Sequence, residues 1–127
     1  RAMDFLSTFS TAATGMDAQA RRLRIISENI ANADTPGFRR KMLNFEQMRE
    51  QAGVAVGPVT LDRAELPQVY DPAHPMANDE GYYEGSNVSM VVEIADAREA
   101  QRSYEANLRI FDQARNMSSQ LLDLLKR

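Results

Sequence analysis

NIANADTPGFRRK, residues 29–41, ends a run of almost thirty residues that has the apolar spacing of one amphipathic helix. Within it, Thr35-Pro36-Gly37 has the composition of a turn. Proline disfavours the α conformation in the residue before it, and glycine at the third turn position suits the positive φ of a type II turn. The helix is therefore predicted to end here, with Phe38 packed against a neighbouring segment. We expect the three basic residues that follow to be solvated or paired with acidic groups: Arg39, Arg40 and Lys41.

Before this turn, residues 1–35 are predicted to form an N-terminal amphipathic helix, from about Asp4 to Asn32. Apolar side chains recur every seven residues, and a second row precedes them by three positions, as in the a and d rows of a coiled coil. An ordinary core-facing helix shows the same pattern, and this segment alone favours that interpretation over a coiled coil. The predicted seam residues are Leu6, Phe9, Met16, Leu23 and Ile30.

Residues 88–127 repeat this pattern and predict a C-terminal helix from about Met90 to Lys126, with Asn87 as its N-cap. Asn107 interrupts one apolar row. A single buried Asn fixes the register of many coiled coils, but this one is equally compatible with a solvent-facing position. The seam residues predicted on this helix are Tyr104, Phe111, Leu121 and Leu125.

The lengths of the two helices indicate an elongated molecule. At ~1.5 Å per residue they would extend roughly 43 and 55 Å, whereas a compact globule of this chain length would be only about 36 Å across. Too many apolar residues lie outside the two seams for one partner helix to cover. We therefore predict a mainly α fold, in which long terminal helices pair as a coiled coil and leave apolar surface for other chains.

Residues 36–87 break the helical period and predict a turn followed by a small, partly irregular β-rich insert. GVAVGPVTLDR (53–63) and LPQVYDPAHP (66–75) are β-prone segments around glycine and proline, and NDEGYYEGSN (78–87) is rich in turn-forming residues. The insert is acidic, since residues 42–87 carry eight acidic and two basic side chains.

Composition excludes several functional classes. The sequence pI of about 5.2 argues against a nucleic-acid-binding protein. The apolar runs are too short to span a bilayer, and the N-terminal residues lack the apolar core of a cleaved signal peptide. The absence of cysteine excludes disulfides and thiolate metal sites, and it suits an oxidising compartment without proving one.

The single histidine, His74, lies near acidic residues in sequence, which raises an enzymatic function as an alternative. With Asp71, Asp79 and Glu80 it would make a metal or acid/base site conceivable. A rigid loop position between Pro72 and Pro75 is the simpler interpretation, and no nucleophile triad or phosphate-binding loop is present. We therefore expect no catalytic residue, no metal and no cofactor. A coiled-coil adaptor and a membrane-surface helix remain as alternatives, although the N-terminal helix lacks a dense basic face for anionic lipid.

Three stretches resemble a known family. SENIANADTPGF (27–38) resembles the N-terminal signature of the bacterial flagellar axial proteins, which comprise rod, hook and junction proteins, and residues 69–88 and 93–117 resemble rod members of that family. The chain departs from the family pattern at Ala73 and Ser86, where glycine and proline are expected. The residues that carry the resemblance are Asn29, Ala31, Asn32, Thr35, Pro36, Gly37, Phe38, Asp71, Pro72, His74, Pro75, Gly81, Tyr82, Asn87, Tyr104 and Asn107.

This resemblance implies a structural subunit of the proximal rod of the flagellar basal body. Members of the family pair their terminal helices in the inner layer of a helical tube, pass unfolded through the flagellar type III export apparatus without a cleaved signal, and polymerise at the growing tip. The implied partners are other copies of the chain, other rod subunits, ring or adaptor proteins of the basal body, and the export apparatus. The implied location is the rod in the periplasmic space. Heterologous contacts that do not close into a ring produce such filaments.

Overall fold

A computed structural model of the chain describes residues 2–48 and 53–126. It is mainly helical with two small antiparallel strand pairs, which confirms the predicted fold class at that level. The sequence-based ranges 1–35, 36–87 and 88–127 also include residues 1, 49–52 and 127, which lie outside the described residues. In chain order the elements are α1 (Ala2–Ala31), β1 (Lys41–Gln47), β2 (Val54–Leu61), β3 (Gln68–Tyr70), β4 (Tyr82–Glu84) and α2 (Met90–Leu125).

Helices α1 and α2 pack side by side in an antiparallel arrangement. Phe9 meets Phe111 edge to face, with ring centroids 5.1 Å apart, and twenty residues later on α1 Asn29 contacts Glu93 near the start of α2. Small side chains dominate the buried surface between these points, which lets the two backbones approach closely. The buried apolar side chains of the described residues are Ala12, Ala18, Ile26, Ala100 and Ala114.

Burial follows the predicted apolar rows on α2 but not on α1. On α2, burial follows the predicted a and d rows from Ala97 to Ser118. On α1, the most buried face includes Ala12, Gly15 and Asn29 and lies one residue earlier than the predicted rows. The predicted seam residues of α1 flank this face. Apolar spacing alone does not detect a glycine that allows close approach or an asparagine buried by polar contacts.

The turn at residues 35–38 has the predicted geometry. Gly37 has φ +75°, and the Phe38 N–H donates to the Thr35 carbonyl at 3.2 Å, as an i to i+3 turn requires. A Cβ atom added at Gly37 would meet nothing within 4 Å. Glycine is therefore needed for its backbone conformation and not for space.

Strands β1 and β2 form an antiparallel hairpin that lies along α1. At its base, the Asn29 side chain binds the backbone of Lys41; near its tip, the Val54 N–H donates to the Thr14 hydroxyl at 3.0 Å. Fifteen helical residues and seven strand residues both cover roughly 22 Å, so hairpin and helix run side by side. Strand β1 has no clear apolar alternation, which is why the sequence did not identify it.

The start of α2 differs from the sequence-based expectation. Asn87 was predicted to be the N-cap, but the N-cap is Ser89, whose side chain accepts from the Val92 N–H. The Asn87 amide is occupied elsewhere: its oxygen accepts from the Arg40 N–H at 2.6 Å, and its nitrogen donates to the carbonyls of Asp62 and Ala64. The residue thus connects the insert to the start of α2.

Candidate assembly site

Buried polar side chains meet where α1, the turn, the β1–β2 hairpin and α2 come together. Glu93 and Asn29 are the largest fully buried side chains among the described residues, each with an exposed fraction of 0%. Burying such groups is unfavourable unless they are hydrogen-bonded and, for charges, paired. We call this group the junction cluster: Asn29, Arg40, Asn87, Glu93 and Asp96.

Asn29 attaches the segment after the turn to α1. Its side-chain amide donates to the Lys41 carbonyl at 2.9 Å and accepts from the Lys41 N–H at 2.9 Å. Two bonds to one residue fix both the position and the direction of the backbone there. Arg40, the preceding residue, is therefore held in a defined position relative to α1.

The guanidinium of Arg40 pairs with carboxylates of α2. It binds Glu93 through Nε, Asp96 Oδ2 through Nη2 at 2.9 Å, and Asp62 more distantly, at 3.8 Å. Burial alone would lower the pKa of Arg40, but the hydrogen bond to Glu93 and the attraction of Glu93, Asp96 and Asp62 outweigh it and raise this pKa. The guanidinium therefore stays protonated across neutral pH and offsets the buried carboxylate of Glu93.

The neighbouring basic residues have weaker or different partners. Arg39 donates to the carbonyls of Asp62 and Ala64, whereas Lys41 pairs with Glu28 at 2.6 Å on a partly exposed surface. Of the two alternatives that the sequence left open, the structure shows pairing with acidic groups for Arg40 and Lys41. Arg40 alone of the three reaches a fully buried carboxylate.

The opposite end of the helix pair is apolar and open. The start of α1 and the end of α2 enclose a groove of ≈560 Å³, in which Leu6 is 67% and Leu125 82% exposed. Contiguous exposed apolar surface of this kind marks interaction sites. We call this surface the terminal groove; it is lined by Phe5, Leu6, Phe9, Ser118, Leu121, Leu122, Leu124 and Leu125.

The predicted seam residues fall into two groups. Phe9 and Phe111 contact each other within the chain, and the half-buried members are Met16, Leu23, Ile30 and Tyr104. Leu6, Leu121 and Leu125 line the terminal groove and are exposed. Burial of these three on assembly remains a prediction.

Motif residues of the acidic insert build a compact loop around β3 and β4. His74 stacks on Tyr83 with ring centroids 4.0 Å apart, and its Nδ1 accepts from the Met76 N–H at 3.1 Å. Tyr70 packs edge to face on Tyr82. Gly81 has φ +90° and lies close to the Tyr70 ring. A Cβ atom added at Gly81 would come within 2.9 Å of that ring. His74 thus has a packing role in the loop.

The remaining motif residues lie at the end of α1, in the turn, and on α2 or just before it. Asn32 closes the end of α1 by donating to the Glu28 carbonyl at 2.9 Å, and it accepts from the Thr35 hydroxyl. Asn107 lies against Gly15 of α1: a Cβ added at Gly15 would come within 2.8 Å of its amide. The interpretation of Asn107 as a residue of the helix interface is thereby favoured over the solvent-facing one.

Among the side chains that the structure describes, those of residues 5–48 and 53–126, no group of three or more His, Asp or Glu side chains is arranged to hold a metal ion. In the same part of the chain, no helix is both long enough and apolar enough to cross a membrane.

Comparison with known proteins links this geometry to a family. A model described as flagella basal body rod protein matches residues 9–39, and one described as flagellar basal body rod FlgEFG protein C-terminal matches residues 79–124. The flagellar basal-body rod protein FlgC of Agrobacterium fabrum is 43% identical over 98% of both chains. The chain belongs to the FlgC family of flagellar basal-body rod proteins. FlgC of Salmonella typhimurium is 31% identical and FlgC of Bacillus subtilis 29%, over 96% and 98% of this chain and 98% and 100% of theirs.

Membership of the FlgC family identifies the chain as a structural subunit of the basal-body rod and not an enzyme. The two matched segments contain most of α1 with its turn and most of α2. They include Asn29, Asn87, Glu93 and Asp96 of the junction cluster, and Arg40 directly follows the first segment. Sequence reasoning missed Glu93, which resembles an ordinary acidic residue in a first helical turn. A signal existed, because Glu93 lies on the same heptad row as the buried Ala100 and Ala114.

Proposed function

We propose that this FlgC-family chain polymerises through its paired terminal helices, acting as a coiled coil in an elongated subunit of the proximal rod. The terminal groove carries the proposal. It presents Leu6 and Leu125 largely exposed, at the end of the helix pair farthest from the junction cluster. An apolar surface that the chain does not cover itself is suited to burial against a neighbouring subunit.

The partners proposed for this surface are further copies of the chain and other rod subunits, followed by ring and adaptor proteins of the basal body. Passage through the flagellar type III export apparatus, without a cleaved signal, would deliver the subunit to a rod in the periplasmic space. The acidic insert, residues 42–87, would then lie outside the helical layer. Family membership supports these statements, and the terminal groove is compatible with them.

A matched pair of substitutions at the end of α2 tests the proposal. Leu121→Asp adds a charge to the terminal groove, whereas Gln120→Asp adds the same charge at the adjacent exposed polar position. Both purified variants should keep the helical content of the parent by circular dichroism, because neither residue is buried within the chain. Only Leu121→Asp should abolish swimming and incorporation into basal bodies.

Secreted protein and basal-body content should be measured together. Normal rods containing Leu121→Asp would contradict a role for the terminal groove in polymerisation. A stable, discrete dimer of the parent chain in light scattering would instead favour the coiled-coil adaptor alternative, since a rod subunit should stay monomeric until its neighbours are present.

A further inference from the structure

The interface between α1 and α2 does little by itself to define how far one helix is displaced along the other. Its buried positions are mostly alanine and glycine: Ala12, Gly15 and Ala18 on α1, and Ala100 and Ala114, two heptads apart, on α2. A shift of seven residues in either direction would bring Ala100 or Ala114 opposite Gly15 in place of Asn107, so a close contact of small residues is available in the neighbouring registers. Repetitive interfaces of this kind adopt alternative registers unless a polar group specifies one.

The junction cluster is the non-repeating part of this interface. Arg40 is held in the frame of α1, because Asn29 binds both backbone polar groups of Lys41. Glu93 and Asp96 belong to α2. The guanidinium of Arg40 binds both carboxylates, so it joins one defined point of α1 to one defined turn of α2.

A shift of one heptad would separate these partners by about 10 Å along the axis. Glu93, which is fully buried and contacts both Arg40 and Asn29, would lose both. Leaving a buried charge without its partner is strongly unfavourable. If α2 moved so that Glu93 faced Arg22, Asn107 would leave its position over Gly15, where no Cβ obstructs it.

We infer that the junction cluster sets the axial register of α1 against α2 and contributes little to the net stability of the helix pair. Arg40 and Glu93 act as positioning residues, and the contact of Asn107 with Gly15 matches this register without fixing it alone. The terminal groove depends on this register, because its two walls come from opposite ends of the chain. A shift of one heptad would offset Phe9 from Phe111 and change the groove.

Distance measurement between two spin labels tests this inference on the full chain, which has no native cysteine. Arg24 and Gln113 are exposed and suit labelling as Arg24→Cys and Gln113→Cys. Along the common axis, residue 24 lies at the level of residue 98, because residue 29 lies at the level of residue 93 and residue 15 at the level of residue 107. The labels are therefore offset by ~22 Å along the axis, and a one-heptad shift changes this offset by ~10 Å.

The decisive variant combines Arg40→Met with Glu93→Leu, which replaces the ion pair by apolar side chains and leaves no unpaired buried charge. It should keep the helical content of the parent but give a second distance population displaced by about 10 Å. The matched control combines Lys41→Met with Glu28→Leu, removing a nearby partly exposed ion pair; it should give the single distance of the parent.

Two results would overturn the inference. The first is a single, parental distance in the variant without the Arg40–Glu93 pair, which would mean that apolar packing sets the register. The second is loss of helical content in that variant, since the pair would then supply net stability and not register.

Discussion

The two ends of the helix pair are built from opposite kinds of side chain. At the junction cluster, Asn29 and Glu93 are fully buried, and both are hydrogen-bonded within the chain. At the terminal groove, leucine side chains are exposed and no polar contact holds them. The difference indicates a division of roles, in which the polar end defines the shape of the subunit and the apolar end remains available to neighbours.

The largest effect should follow from removing one partner of the buried ion pair. Arg40→Met leaves the Glu93 carboxylate buried without a cation, and we expect a loss of about 3–5 kcal/mol in the free energy of unfolding. Lys41→Met, in which the lost ion pair is partly exposed, should cost only about 0–1 kcal/mol. Urea denaturation followed by circular dichroism measures both. Equal losses of unfolding free energy in the two variants would contradict the distinction between the buried Arg40–Glu93 pair and the partly exposed Lys41–Glu28 pair.

A charge at the Phe9–Phe111 contact, next to the terminal groove, should also destabilise the chain. Phe111→Asp removes the edge-to-face contact with Phe9 and places a carboxylate against apolar side chains, so a loss of about 3 kcal/mol is expected. Leu125→Asp, at an 82% exposed position, should leave the stability of the monomer unchanged. Thermal unfolding of the two variants would show whether Phe111 is packed within the monomer and Leu125 is not. Destabilisation by Leu125→Asp would contradict the exposure of Leu125 in the monomer.

The turn should contribute a smaller amount. Gly37 has φ +75° and free space where a side chain would lie, so Gly37→Ala should cost about 1–2 kcal/mol through backbone strain alone. Gly37→Asn should cost less, because asparagine tolerates this conformation better. Denaturation midpoints of the two variants provide the comparison. No loss for Gly37→Ala would show that the turn adapts freely and does not constrain Arg40.

The smallest effect concerns Gly15 and requires a double-mutant cycle. In the parent, a Cβ at residue 15 would come within 2.8 Å of the Asn107 amide, which offsets the helix preference of alanine. With Asn107→Ala in place, Gly15→Ala should instead stabilise the chain by about 1 kcal/mol. A coupling energy of at least ~0.5 kcal/mol between the two positions is expected. Additive effects would mean that the packing of Asn107 does not depend on the lack of a Cβ atom at residue 15.

The parts of the fold that follow from local chemistry could be predicted from sequence. Heptad spacing gave both helices to within a few residues, and Pro36-Gly37 gave the turn with its positive φ. Long-range polar contacts could not be predicted in the same way. The partners of Asn29 lie twelve and sixty-four residues away, and nothing local distinguishes them from other acidic or amide groups.

The error at Asn87 has the same origin. Asparagine is a good helix N-cap, and the sequence contains no sign that its amide is already bound by Arg40, Asp62 and Ala64. Ser89 is an equally good cap two residues later and takes that role. Uncovered apolar surface, by contrast, is predicted by the excess of apolar residues over one seam, although the sequence does not place it at the terminal groove.

Hydrogen exchange of the purified monomer, resolved by residue, tests the division between the two ends most directly. Exchange should be slowest in residues 29–41 and 87–96, where the junction cluster ties four segments together, and fastest in residues 5–9 and 118–125, whose apolar side chains lack neighbours. Slow exchange that is uniform along both helices in a verified monomer, or protection that is greatest at the terminal groove, would contradict this account.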